Sequence, residues 1–269
     1  MKNQFLNLIR EKTTLRLKNL NVNLIDLRKE AASMPTPHDF LEIFSYYKSI
    51  YLPACVIAEI KFASPSLGDI SQHKDCVKIA EQYLKHGASA LSVLTEPEFF
   101  KGSVDYLKKI HQAFPTANLL MKDFIQDEIQ LLQAKVSGAN AVLLIVAYLS
   151  QTQLNELYQM AILLGLTPLV EAHSQDEIDL AKSLGAKLIG VNNRNLQTLK
   201  IDLATSKTAT ITQSSETHFI SESGIQNGVQ VTELQQLGFK GFLIGSHFMA
   251  SHHPGTALSQ LLNEARNAS

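Results

Sequence analysis

The sequence predicts an α/β fold, a single (β/α)8 TIM barrel preceded by a helical extension, on three observations. After Cys55, eight short apolar runs alternate with longer helix-like segments. The runs are rich in Val, Ile and Leu and lack polar alternation, as parallel strands covered on both faces should be. Several end in a charged residue, and the C-terminal strand ends of such a barrel carry its active site. An open doubly wound sheet is the competing arrangement. It usually has fewer strands and a glycine-rich fingerprint after the first, and Ala63-Ser64-Pro65-Ser66-Leu67-Gly68 is not one.

Taken in order, residues 1–50 form the extension, with helix-like stretches at Gln4–Leu20 and Pro37–Ser49 that would lie across one barrel end. Strands follow at Val56–Lys61, Ala90–Leu94, Leu119–Lys122, Ala141–Val146, Pro168–Glu171, Leu188–Asn192, Phe219–Glu222 and Gly241–Gly245. Glycine in His86-Gly87-Ala88, Ser137-Gly138-Ala139, Leu184-Gly185-Ala186 and Leu237-Gly238-Phe239 ends one helix and turns the chain into the next strand. A helix over about Thr256–Ala268 closes the fold. With no linker, low-complexity run or repeat of roughly 20–50 residues, residues 1–269 read as one domain.

The 269 residues are 45% hydrophobic and 18% charged, enough apolar material for a large core. A net charge of −1 leaves no footprint for nucleic acid or an anionic membrane, so attraction for an anionic ligand must be local. No stretch approaches the roughly 20 apolar residues of a membrane span. The segment from Met1 to Lys12 lacks a secretory apolar region and cleavage site and reads as an amphipathic helix, so a cytoplasmic location is expected. Cys55 and Cys76 show no metal-ligand spacing and read as reduced. The histidines form no metal constellation; His173, two residues past Glu171, has no second ligand at helical or strand spacing. Neither metal nor cofactor is expected.

Candidate chemistry sits at the strand ends. Lys61 closes strand one and Lys122 strand three, while Glu171 and Glu222 close strands five and seven. Burying such charges singly is costly, so their recurrence points to one assembled cluster. Strand periodicity puts Ile57, Glu59 and Lys61 on one face; facing inward, Glu59 and Lys61 would climb toward the mouth, with both lysines held protonated by the glutamates. A purely structural ion network is the alternative. Ser221-Glu222-Ser223-Gly224-Ile225 and Ile244-Gly245-Ser246-His247 follow strands seven and eight, where these barrels commonly hold phosphate. Gly224 and Gly245 would admit the anion, Ser223 and Ser246 would add hydroxyls, and Ser64 could complete the ring. After strand six, Asn192-Asn193-Arg194-Asn195 suits a polyol and an anion, although Asn193 and Asn195 fit a loop with a helix cap equally well. Phe99 or Phe100, with Phe124 and Pro65, could wall an aromatic ring or simply pack the loops.

Ile57-Ala58-Glu59-Ile60-Lys61-Phe62-Ala63-Ser64-Pro65-Ser66 closely resembles the first-strand signature of indole-3-glycerol-phosphate synthases. So do Leu91–Glu96, Leu120–Phe124, Ile189–Leu196 and Ser221–Ile225, in order along the chain, and the helical extension is also typical. The resemblance implies a carbon-carbon lyase (carboxy-lyase) of tryptophan biosynthesis, acting on 1-(2-carboxyphenylamino)-1-deoxyribulose 5-phosphate by ring closure, decarboxylation and dehydration. It further implies Lys122 as general acid, Lys61 as partner of the substrate carboxylate, Glu59 positioning Lys61, and Glu171 as base or electrostatic partner. Asn192, Glu222 and Ser223 would hold hydroxyls and catalytic groups. Gly224, Gly245 and Ser246 would take phosphate, and Leu94, Phe100 and Phe124 the ring. Departures from the family pattern fall at Phe62, Leu67 and His38, where basic residues are frequent. The expected ligand is a small anion bearing carboxylate and phosphate, and the expected state is a monomer that associates at most with other enzymes of its pathway. The alternatives are a sugar-phosphate isomerase, a Schiff-base aldolase, or a non-catalytic barrel that binds a metabolite.

Overall fold

In the computed structural model, which describes residues 4–66, 68–70, 75–211 and 216–268, eight parallel strands close into a barrel. They are β1 (Cys55–Ile60), β2 (Ala90–Leu94), β3 (Leu119–Lys122), β4 (Ala141–Ile145), β5 (Thr167–Ala172), β6 (Leu188–Asn192), β7 (His218–Glu222) and β8 (Gly241–Ile244). Each begins and ends within one residue of the run read from the sequence. Successive strands pair in order, and β8 returns to β1 in the register Cys55↔Gly241 to Ala58↔Ile244. The β1 loop carries a small antiparallel hairpin in which Ala63–Ser64 pairs with Gly68–Asp69.

Helices α4 (Cys76–Lys85), α5 (Val104–Ala113), α6 (Glu128–Val136), α7 (Gln151–Leu163), α8 (Gln175–Ser183), α9 (Ala204–Thr208) and α10 (Gly228–Gln236) alternate with the strands, and α11 (Ser246–Met249) and α12 (Pro254–Ala268) follow β8. Their starts are written in the sequence. Asp75, Ser103, Asp127, Ser150, Ser174 and Asn227 each accept a first-turn N–H through the side chain. Such a cap contributes about 1 kcal/mol and stops the preceding loop at a defined residue. The βα loops therefore gather at the end where the strands finish. The main core cluster runs from Leu6 through the strands to Ala265. Cys55 and Cys76 are buried and unpaired, and burial pushes the Cys55 thiol up to about 12, which leaves it unreactive. Among the described residues, no helix is long and apolar enough to cross a membrane.

The extension departs from expectation in two ways. It contains α1 (Gln4–Lys18), α2 (Leu24–Ser33) and, after a 3₁₀ turn at Phe40–Glu42, α3 (Ile43–Ser49). The unexpected helix, α2, buries only Leu27 and Ala31, which pack on Leu132 of α6, and so shows a stripe too narrow to read by periodicity. Its legible signal was Asn23, whose side chain caps the Ile25 N–H at 2.9 Å. The extension also serves both barrel ends. Arg16 of α1 reaches Asp123, just past β3, at 2.9 Å, whereas Phe44 of α3 stacks on His218 at the start of β7, with ring centroids 4.4 Å apart.

Burial, reinforced by Lys240 and Lys48 against the opposing Asp39, holds His218 below its ordinary value. A base whose folded pKa lies below the unfolded value of about 6.5 loses stability as pH falls through that value. Urea midpoints measured from about pH 7.5 to 5 should therefore fall more steeply for the unmodified chain than for His218→Gln. Parallel declines would show that His218 titrates alike in both states.

Candidate active site

Three carboxylates and two ammonium groups meet where the strands end. Lys61 Nζ lies 2.6 Å from Glu59 Oε1. Lys122 donates a hydrogen bond to Glu222 and lies 3.5 Å from Glu171 Oε2. The odd-numbered strands supply all of them: β1 gives Glu59, β3 Lys122, β5 Glu171 and β7 Glu222, with Lys61 just past β1. Side chains from alternate strands form one layer in this fold, so the layer nearest the mouth is ionic where lower ones are branched and apolar. The even-numbered strands make room. A Cβ on Gly190 of β6 would overlap Glu222 Oε1, and one on Gly245 after β8 would overlap Glu59 Oε1.

The charges hold one another in place. Burial opposes the Lys122 ammonium, but Glu222, Glu171 and Glu59 outweigh it and keep the group charged well above neutral pH. Burial likewise opposes ionised Glu171, yet Lys122 and His173 hold that carboxyl well below the ordinary range. Glu59 is lowered too, burial being outweighed by Lys61 and Lys122. Glu222 goes the other way: burial, opposed by Lys122 and reinforced by repulsion from Glu171, pushes it up to about 8. The two carboxyls are thus shifted in opposite directions, Glu171 by its cationic neighbours and Glu222 by burial beside Glu171.

Above this layer lies a cavity of about 370 Å³. Its lining combines the polar Glu59, Lys61, Lys122, Glu171, Asn192 and Arg194 with the apolar Leu94, Phe100, Phe124 and Ile225. Phe100 and Phe124 stand 6.2 Å apart between ring centroids. Ser223, Gly224, Gly245 and Ser246 line it as well. The chain leaves β7 through two successive left-handed residues, Ser223 at φ 66° and Gly224 at φ 87°. A side chain at Gly224 would also meet Ile201, so only glycine fits there.

Other candidates fall outside the lining. Pro65 is exposed on the hairpin, past the buried run from Lys61 to Ser64, and does not wall the cavity. Ser64 is buried beside the Ser66 hydroxyl, 3.4 Å away, and is not part of the lining either. Phe99 packs edge-on against Phe5 of α1 at 5.5 Å. The Asn193 amide is spent inside the protein: Nδ2 donates to Ser221 Oγ and to the Glu222 and Ser223 carbonyls at 3.0–3.1 Å. It pins β6 to the end of β7. Arg194 donates to the Leu199 carbonyl at 3.0 Å and to Ser66 Oγ at 3.2 Å, linking two loops over the mouth. Of the departures, Phe62 is buried edge-on against Tyr106 at 5.3 Å and His38 is exposed, while Leu67 lies outside the described residues.

Sequence reasoning missed Gly190 and Asp123, and weighed His173 only as a metal ligand. Gly190 could have been suspected as a lone glycine inside an apolar strand. Asp123 lines the cavity, accepts from Thr95 Oγ1 at 2.9 Å and pairs with Arg16, contacts that only the tertiary fold creates. Among the described residues, no group of His, Cys, Asp or Glu could hold a metal.

The family model for indole-3-glycerol phosphate synthase matches residues 7–261. A protein of that description from Carboxydothermus hydrogenoformans is 43% identical over 208 residues, 77% of this chain and 78% of its own length. One from Streptococcus pneumoniae is 45% identical over the same span, 80% of its length. Solved structures share the fold at low identity. Thiamine phosphate pyrophosphorylase from Pyrococcus furiosus aligns at TM-score 0.59 and 15% identity, covering 81% of this chain and 98% of that one. Tryptophan synthase subunit alpha from Legionella pneumophila aligns at 0.60 and 12%, covering 85% and 98%.

The space at Gly190 gives a direct test of the ionic layer. Gly190→Ala should cost about 1–3 kcal/mol, since the added methyl must displace the Glu222 carboxyl from a packed interior. Urea denaturation measures it, and an unchanged midpoint would mean that the carboxyl has free room elsewhere.

Proposed function

The chain belongs to the indole-3-glycerol phosphate synthase family, and on that premise we propose how its residues perform the family's reaction. The chain is a carboxy-lyase that converts 1-(2-carboxyphenylamino)-1-deoxyribulose 5-phosphate to indole-3-glycerol phosphate, CO2 and water. One observation carries the assignment of roles. Two buried lysines, each paired with carboxylates, open into a cavity that apolar and aromatic side chains also line.

In this reading the substrate ring lies against Leu94, Phe100 and Phe124, its carboxylate meets Lys61, and Glu59 fixes that lysine. The phosphate settles between Ser223-Gly224 and Gly245-Ser246, with Arg194 nearby. Asn192, Glu222 and the Ser223 hydroxyl hold the sugar hydroxyls. The ring carbon bearing the carboxylate attacks the ketone carbon, and the carbonyl electron pair takes a proton from Lys122. Loss of CO2 returns its bonding pair to the ring. The new hydroxyl then leaves as water with a proton from the lysine side, and Glu171 accepts the remaining proton as the indole forms. Ammonium groups already aimed at the developing alkoxide need no reorganisation during the step. Every assigned group comes from one chain, which supports a monomer as the working unit.

The Schiff-base alternative requires a neutral amine. Glu222, Glu171 and Glu59 hold Lys122 charged, which argues against that chemistry. A barrel that merely binds a metabolite would gain nothing from opposed carboxylates of unequal acidity.

Supplying the carboxyphenylamino sugar phosphate should yield indole fluorescence and CO2 together. General-acid catalysis is typically worth about 10²–10⁴-fold, so Lys122→Ala should lower kcat by that factor while circular dichroism stays unchanged. Full turnover in the variant would remove Lys122 from the acid role, and absence of indole from the unmodified chain would overturn the proposal as a whole.

A further inference from the structure

Glu171 has a neighbour that the reaction steps above leave unused. His173 follows β5 directly, and its ring lies between two carboxylates. Nε2 is 3.3 Å from Glu171 Oε1, and Nδ1 is 3.4 Å from Glu177 Oε2. The His173 side chain is only 13% exposed. Both contacts are within ion-pair distance, and neither meets hydrogen-bond geometry. Glu177, in the first turn of α8, is itself fixed: Oε2 accepts the His173 backbone N–H at 2.8 Å, and its own N–H donates to Ser174 Oγ at 3.3 Å. The second oxygen of Glu171 faces Lys122.

We propose that His173 is a positioning residue which, as an imidazolium bridging Glu177 and Glu171, keeps Glu171 ionised with Oε2 turned toward the reacting groups. The inference rests on the reading of Glu171 as the base. Burial opposes charge on the ring, but Glu171 and Glu177 outweigh it and raise His173 to about 9. Arg194, Lys200 and Asp202 border the adjoining space that His173 and Glu177 also line. Lys122 and Glu222 bear on Glu171 from the barrel side. Lys61, Lys122 and His173 thus face Glu59, Glu171, Glu177 and Glu222. Without the imidazolium, a buried Glu171 would lean on Lys122 alone, and its carboxyl would take up a proton more readily.

The test compares His173→Asn, Glu177→Gln and Glu171→Gln in the full chain, with kcat and KM followed from about pH 5 to 10. His173→Asn should lower kcat about tenfold near neutral pH, leave KM within about threefold, and move the acid limb up by about one pH unit. Glu177→Gln keeps an acceptor for the His173 N–H but weakens the ring's hold on its proton. Its alkaline limb should therefore begin at lower pH than in the unmodified chain. A loss in His173→Asn that is uniform across pH, or a fall in thermal midpoint with an unshifted profile, would reduce His173 to a structural part and overturn the inference. If Glu171→Gln is inactive while the His173→Asn profile stays unshifted, only this inference falls. If Glu171→Gln keeps full activity, the base assignment falls and takes the inference with it.

Discussion

A buried ammonium on β3 survives only because β5 and β7 aim carboxylates at it, and the rest of the mouth is arranged around that necessity. An uncompensated interior charge costs several kcal/mol, whereas a matched set recovers most of it. Barrel closure supplies the matching. Strands three, five and seven lie far apart along the chain, yet their inward side chains meet in one layer. Small residues on the even strands follow from the same need, because a carboxylate occupies width that a neighbouring side chain would otherwise fill.

Charged groups and aromatic or branched side chains line the same cavity, so it offers partners both to anionic groups and to a flat apolar ring. Positive φ at Ser223 and Gly224 bends the backbone away from β7 and opens the far end of the cavity. Asn193 fixes that bend by taking up three hydrogen-bond acceptors from β7 and its exit. Strain at the non-glycine position is therefore held by a buried amide rather than left to the loop.

Much of this was legible in the sequence. The strands were plain because doubly covered strands leave uninterrupted apolar runs, and Lys61, Lys122, Glu171 and Glu222 broke those runs at their ends. The helix starts were plain because short polar side chains cap them. Other features were not. The narrow stripe on α2 carries no strong period. Pro65 looked like a wall because it sits close to Lys61 along the chain, but the hairpin swings it outward. Asn193 and Asn192 are indistinguishable by type, and only the fold ties the amide of one to β7 and its exit and brings the other to the cavity lining. His173 had no visible partner, since Glu177 lies four residues on in the next helix and meets it only after the βα turn.

Arg16 grips Asp123 directly beside Lys122, and this gives the leading helix a standing that its place in the chain does not suggest. A segment outside the barrel neutralises a side chain in contact with the ligand space. Grafting this barrel behind a foreign leader would therefore leave an acid unneutralised next to the key amine. Electrostatics as well as packing ties the extension to the barrel.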